Sequence, residues 1–273
     1  MEILRHIILF LHSKKNSLAL FAVTVLGIIG VLSAKNVMMT SNTVGDRELP
    51  VYCVETQEPK IALTFDAAWG NEDTKQILDI LAEEQVHVTF FMTGGWIESF
   101  PEDVKAIYQA GHELGNHSEN HKHMPQLSTQ DMEQEIMKAH DKVKKLTNYD
   151  MKVFRPPYGD YSNDVVKTVK KCGYQAIQWD VDSLDWKDYG VDSIINTVVN
   201  HKHLGNGSII LCHNGAKYTA DALKTLIKSL KEKGFQFVTM SELIYPDNYH
   251  IDHEGRQIPD KQEESMIPEK HWV

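Results

Sequence analysis

Cysteine is scarce in this 273-residue chain, with Cys53, Cys172 and Cys212 the whole complement and no CxxC spacing among them. Neither a disulfide framework nor a cysteine-ligated zinc is indicated, and Cys172 and Cys212 read as small apolar side chains. Basic residues are also short: 28 Lys and Arg stand against 38 Asp and Glu, a net charge of −10, and the cations are scattered. Phosphate binding needs clustered Lys and Arg, so the balance argues against a nucleic-acid partner. No GxGxxG or other phosphate-cradling glycine loop follows the first strand pattern, which removes the commonest nucleotide-binding reading. What remains is 42% hydrophobic and 24% charged. That is enough for one domain of roughly 200 residues with appendages.

Long apolar runs are absent except at the start. Residues 17–34, SLALFAVTVLGIIGVLSA, carry no charge, close to the roughly 20 residues a membrane-crossing helix needs. Arg5, Lys14 and Lys15 precede the run and Lys35 alone follows closely. The positive-inside bias puts residues 1–16 in the cytoplasm and the rest outside the membrane. Secretion after signal-peptide cleavage is the competing expectation, but Leu32, two before Ala34, makes a poor small-residue cleavage site. Residues 35–58 then read as a polar linker, and 246–273 as a mostly solvated tail.

Between 59 and 245 short β-rich runs alternate with helical stretches: KIALTFD, VHVTFFMTG, HELGNH, KVFR, QAIQWD, SIILCH and FQFVTM. Ile77, Leu78 and Leu81 share one helical face. Met132, Ile136, Ala139 and Val143 share another after a Ser128 to Asp131 capping signal, and Leu223, Leu226, Ile227 and Leu230 a third before Gly234. Pro101 opens a helix that Gly111 closes. Seven strands alternating with helices predict an α/β fold with a parallel sheet, closed or nearly closed as a distorted (β/α)7-8 barrel. An open doubly wound sheet is the alternative.

In such barrels the chemistry gathers where the strands end. Asp66 ends the first strand, His117 follows the third with His121 four residues on, Arg155 ends the fourth and His213 the sixth. After the fifth comes WDVDSLDW, carrying Asp180, Asp182, Asp185 and Trp186. Singly, each has a bland explanation as a cap, a turn or a hydrogen-bonded core residue. Together at one mouth with a carboxylate, an arginine and a third histidine, a histidine pair four apart suits a divalent metal such as Zn, Co or Ni. His123 reads as solvent-exposed, and His112 precedes its strand, away from the mouth. Trp69, Trp96 and Tyr158 are candidates for a sugar groove and equally for core packing.

TFDAAWG, HSENH, RPPYG, DSLDW and LCH, in this order over about residues 59–243, resemble the five motifs of the NodB-type polysaccharide deacetylases, carbohydrate esterase family 4. The anchor and spacing further resemble the branch linked to sporulation and cell-wall modification. The resemblance implies metal-dependent removal of N-acetyl groups from GlcNAc-containing polymers such as peptidoglycan. Zinc is the first expectation for the metal, with cobalt or nickel as alternatives. It implies His117 and His121 as metal ligands, Asp66 as general base held by Arg155, and His213 as general acid tuned by Asp185. Trp186 and Leu211 would line the acetyl pocket, with the Tyr158 backbone N–H in the oxyanion hole.

The first motif also departs from the family, in which a second, metal-binding aspartate follows the base; here that position is Ala67. A catalytic zinc normally has three protein ligands. Asp66 itself, Glu72 or Asp73 from the same loop, or water could fill the gap. Otherwise the domain is a catalytically weak or silent glycan-binding module.

Overall fold

The computed structural model describes residues 47–260. The apolar run 17–34 lies outside them, and among the described residues no helix is long and apolar enough to cross a membrane. In chain order the elements begin with β1 (Cys53–Val54), β2 (Lys60–Ala67), α1 (Thr74–Glu83), β3 (Thr89–Met92), α2 (Gly94–Ser99), α3 (Pro101–Gln109) and β4 (Glu113–Asn116). Next come α4 (Thr129–Thr147), β5 (Val153–Phe154), α5 (Asn163–Lys171), β6 (Gln175–Ala176), β7 (Val181–Asp182), α6 (Val191–Val199) and β8 (Ile209–Asn214). The order closes with α7 (Thr219–Glu232), β9 (Gln236–Phe237), α8 (Met240–Leu243), β10 (Tyr249–Ile251) and β11 (Arg256–Pro259).

The main sheet is parallel and runs β6-β5-β4-β3-β2-β8-β7, with β9 added to β2. It curls into a half-barrel that does not close: among the described residues no ladder joins β6 to β7. This corrects the expected closed or nearly closed barrel, and the cause is local. The chain between the two strands spends its polar groups elsewhere. Gln178 N–H donates to Val51 O at 2.7 Å, and Gln178 O accepts from Arg155 at 3.2 Å. The strand β7 lies inside the acidic run WDVDSLDW and, at two residues, is too short to show alternation. A second sheet forms where the sequence suggested linker and tail. There β11 pairs in parallel with β1 and antiparallel with β10, and the buried Gln257 side chain grips both Tyr245 N–H and Tyr245 O.

The helices form as the apolar spacing and caps require. Ser128 Oγ accepts the Asp131 N–H at 3.2 Å to start α4, and Met132, Ile136, Ala139 and Val143 are buried along it. Pro101 opens α3, and Gly111, at φ +83°, turns the chain out of it where a side chain would be strained. Alternation along β2 decides what faces the site. Ile61, Leu63, Phe65 and Ala67 pack into the sheet–helix core, whereas Ala62 joins Phe91, Val153, Ile177 and Ile209 on the other face. Thr64 and Asp66 share the side of Ala62 by the period of two.

Phe65 is fully buried and stacks on Phe90 at 5.1 Å between ring centroids. Phe65→Ala is expected to cost about 3–5 kcal/mol in urea unfolding, and Leu78→Ala, at a partly exposed position, clearly less.

Candidate active site

Strand pairing brings the distant residues together. Asp66 on β2 stands opposite His213 on β8 in the ladder. Asn116, the last residue of β4, is level with Ala67 through Met92 of β3, so His117 emerges at the same end. Arg155 leaves β5 beside it and is fully buried. Its Nη1 donates to Asp66 Oδ1 at 2.7 Å and to Thr64 Oγ1 at 2.9 Å, while its guanidinium lies 4.1 Å from the centre of the Phe91 ring. Burial pushes Asp66 up, but the Arg155 guanidinium, with His117 and His213 adding to it, holds the carboxyl net below its ordinary value.

Arg155 also orients the first histidine. Its carbonyl can only accept, so His117 Nδ1 carries the proton of that 2.7 Å bond and Nε2 is left with a bare lone pair. That Nε2 lies 3.2 Å from His121 Nε2 and 3.5 Å from Asp66 Oδ2. His121 has φ +53° and is kept there by its N–H donating to Ser118 Oγ at 3.1 Å. The loop is clamped by Glu135 of α4, which accepts from Asn120 N–H at 2.7 Å and from Asn120 Nδ2 at 2.8 Å. Burial lowers both histidines, His121 to about 4. They are neutral at pH 7, as metal ligation requires.

Across the cavity, His213 Nδ1–H donates to Asp185 Oδ1 at 2.7 Å. Asp185 Oδ2 accepts the His213 N–H at 2.7 Å and the Thr219 hydroxyl at 2.6 Å. Burial pulls His213 down, but the hydrogen bond and charge of Asp185 leave it net above its ordinary value. A cavity of about 440 Å³ joins these groups, with Asp66, His117, His121, Tyr158, Trp186, Leu211 and His213 in its wall. Arg155 and Asp185 stand behind, each bonded to a lining residue.

Other candidates do not converge. His123 pairs with Asp160 at 3.1 Å and stacks on Tyr158. His112 lies beside His87 and Phe90. Trp96 is core, whereas Trp69 is 55% exposed and lines the cavity. Trp179 and Asp182 also line it without having been assigned a role, and Thr64 and Thr219 serve the two key side chains. For Thr64 a signal existed, since it stands two before Asp66 on the same strand face; for Thr219 there was none.

At the departing position, Ala67 is fully buried in the outer core. Neither same-loop carboxylate replaces the missing ligand. Glu72 is exposed, and Asp73 accepts from Asn214 Nδ2 and from the Gly215 N–H at 2.9 Å. Among the described residues no group of three or more His, Cys, Asp and Glu is disposed to hold a metal. The two facing imidazole nitrogens fit a divalent ion as a pair, without a third residue in a complete set.

A family model described as polysaccharide deacetylase matches residues 54–177. The chain is 39% identical over 197 residues to a peptidoglycan-N-acetylglucosamine deacetylase of Bacillus cereus, covering 70% of this chain and 91% of that one. Among solved structures it resembles BA3943 of Bacillus anthracis, described as a CE4 family pseudoenzyme (TM-score 0.68, 30% identity, 78% of this chain and 73% of that). A BA3943 mutant described as having restored enzymatic activity is equally similar (TM-score 0.68, 33% identity, 76% and 72% covered). The chain belongs to the polysaccharide deacetylase family. The segment matched by the family model stops before Asp185 and His213.

Ala67→Asp puts a carboxylate into a buried position at the very end of β2, where it is costly unless the strand end lets it reach a cation on the histidine pair. The variant is expected to melt at a lower temperature than the wild type without metal, and to bind zinc about tenfold or more tighter by calorimetry. Unchanged affinity would mean that position 67 has no access to the pair.

Proposed function

We propose that the chain hydrolyses N-acetyl groups of GlcNAc-containing cell-wall polysaccharide, peptidoglycan or a related glycan. The observation that carries this reading is a carboxylate and an imidazole with opposite proton biases at paired positions of neighbouring strands. Arg155 favours the anionic form of Asp66, the hydrogen bond and charge of Asp185 favour the protonated form of His213, and both residues face the cavity that holds the histidine pair. The activity printed for the Bacillus cereus relative supports the same chemistry.

Amide hydrolysis needs a nucleophile stronger than neutral water, compensation for the oxyanion, and a proton for a poor leaving group. His117 and His121 would hold a divalent ion, which would supply Lewis acidity toward the acetyl carbonyl. Asp66 Oδ2 accepts the proton of the attacking water while Oδ1 stays on Arg155, which keeps the carboxylate from swinging. The Tyr158 N–H is the proposed donor to the oxyanion, a contribution of about 3 kcal/mol for one such group. With Nδ1–H tied to Asp185, His213 presents Nε2–H to the amide nitrogen, which leaves as the amine as acetate forms. Leu211 and Trp186 wall the space for the acetyl methyl group.

A place in sporulation and a location outside the cytoplasmic membrane belong to the proposal and rest on the motif pattern, the run 17–34 and the basic residues before it. The second reading, a catalytically silent glycan-binding module, is favoured by Ala67 and by the likeness to the Bacillus anthracis pseudoenzyme.

Incubating the purified chain with N-acetylated chitotetraose and peptidoglycan, with and without zinc, separates the two. The expected result is zinc-stimulated acetate release, lowered about 10²–10⁴-fold in His213→Ala. Binding without release under saturating zinc would establish the silent module.

Asp185→Asn removes the largest influence that raises His213 and leaves the lowering effect of burial opposed only by the smaller contributions of the Asp66 and Asp182 charges. The His213 ring, followed by NMR, is then expected to lose its proton at lower pH, and the alkaline limb of kcat/KM to move the same way. The loss should be larger at pH 8 than at pH 6. An unmoved titration would remove Asp185 from the acid's control.

A further inference from the structure

Five large hydrophobic side chains are exposed among the described residues, and three of them, Trp69, Tyr158 and Trp186, line the one cavity. Scattered apolar side chains on a surface carry no message, but a cluster at a cavity mouth marks a binding surface. Trp69 stands apart from the other two because it comes from the loop that departs from the family at Ala67.

Its position is central. The Trp69 ring centroid lies 5.5 Å from that of His213 and 6.4 Å from that of His121, so the indole spans the acid side and the metal side of the site. It covers polar imidazoles rather than core, and it stays 55% exposed. The loop beneath is fixed from several directions. Trp96 Nε1–H donates to Gly70 O at 3.0 Å, and Asn71 Nδ2 to Asp103 at 2.6 Å. Gly215 packs so closely that an added Cβ would sit 3.3 Å from Gly70 N and O, and its N–H donates to Asp73 at 2.9 Å. An indole presented on a pinned loop binds a ligand face with little ordering cost.

We propose that Trp69 is the stacking wall for a pyranose ring of the glycan and so a specificity-determining residue of this site. The ligand class follows from the lining. An aromatic face covers the C–H face of a saturated ring, while the Asp182 carboxylate in the same wall offers acceptors to its hydroxyls. The inference rests on the deacetylase reading for its substrate.

The test uses the full chain with zinc and chitotetraose as the probe, comparing wild type with Trp69→Ala, Trp69→Phe and Trp69→Leu. Trp69→Ala and Trp69→Leu are expected to raise Kd and KM about tenfold with kcat within about twofold, and Trp69→Phe to recover most of the loss. Zinc affinity and Tm should not move. Comparing Phe with Leu keeps the test decisive if the alanine variant fails to fold, since apolar filling alone would treat the two alike. Wild-type binding that survives in Trp69→Leu overturns this inference and leaves the deacetylase reading standing. A wild-type chain that neither binds nor deacetylates the tetramer overturns both.

Discussion

The site is organised by the buried contact between Arg155 and Asp66. A guanidinium without solvent access is costly unless its donors are satisfied and its charge opposed, and Arg155 meets most of that demand with Asp66, Thr64 and Gln178 O. Each of these bonds fixes something else. The first orients the Asp66 carboxylate and the second ties the guanidinium to the same strand face. The third uses a carbonyl from the segment that would otherwise bridge β6 and β7. The Arg155 carbonyl in turn sets the tautomer of His117. Removing one partner leaves an uncompensated charge in the centre of the half-barrel, which is why base, histidine pair and open sheet edge form one unit.

Two ionisable systems with opposite biases face each other across the cavity. A neighbouring cation lowers the proton affinity of Asp66, and a neighbouring anion raises that of His213. That is the separation of proton affinities acid–base hydrolysis requires. Between them the histidine pair is neutral and aimed, and its loop is braced by Glu135. Against this stands one methyl group, Ala67, where the motif resemblance implies a second aspartate. The structural neighbours include both a protein described as a pseudoenzyme and a mutant of it described as having restored activity. Both resemble this chain to the same degree, with a TM-score of 0.68.

Much of this was legible in the chain. The Ser128 cap and the apolar spacing of α4 and α7 are local signals, and the structure follows them. Strand-end positions are also local, and a parallel sheet sends every strand end to one side, so Asp66, His117, Arg155 and His213 could be collected in advance. Less legible were the two-residue strands β5, β6 and β7, because alternation needs more residues than that to register. The pairing of β1 with β11 joins stretches some two hundred residues apart and leaves no local trace. Asp73 had the right chemistry for a substitute ligand and the right loop, yet its Oδ1 is held by Asn214 and Gly215 and the residue lies outside the cavity wall.

Residue type and order along the chain determined which groups are available: a strand-end carboxylate, three histidines, an arginine, and an alanine where the resemblance implies a second aspartate. Only the tertiary structure decided that Arg155 fills the gap where the sheet fails to close, that Ala67 turns into the outer core, and that Trp69 stands over the site. Those outcomes depend on which distant backbone groups compete for the same hydrogen bonds and the same volume, and that competition exists only once the chain is packed.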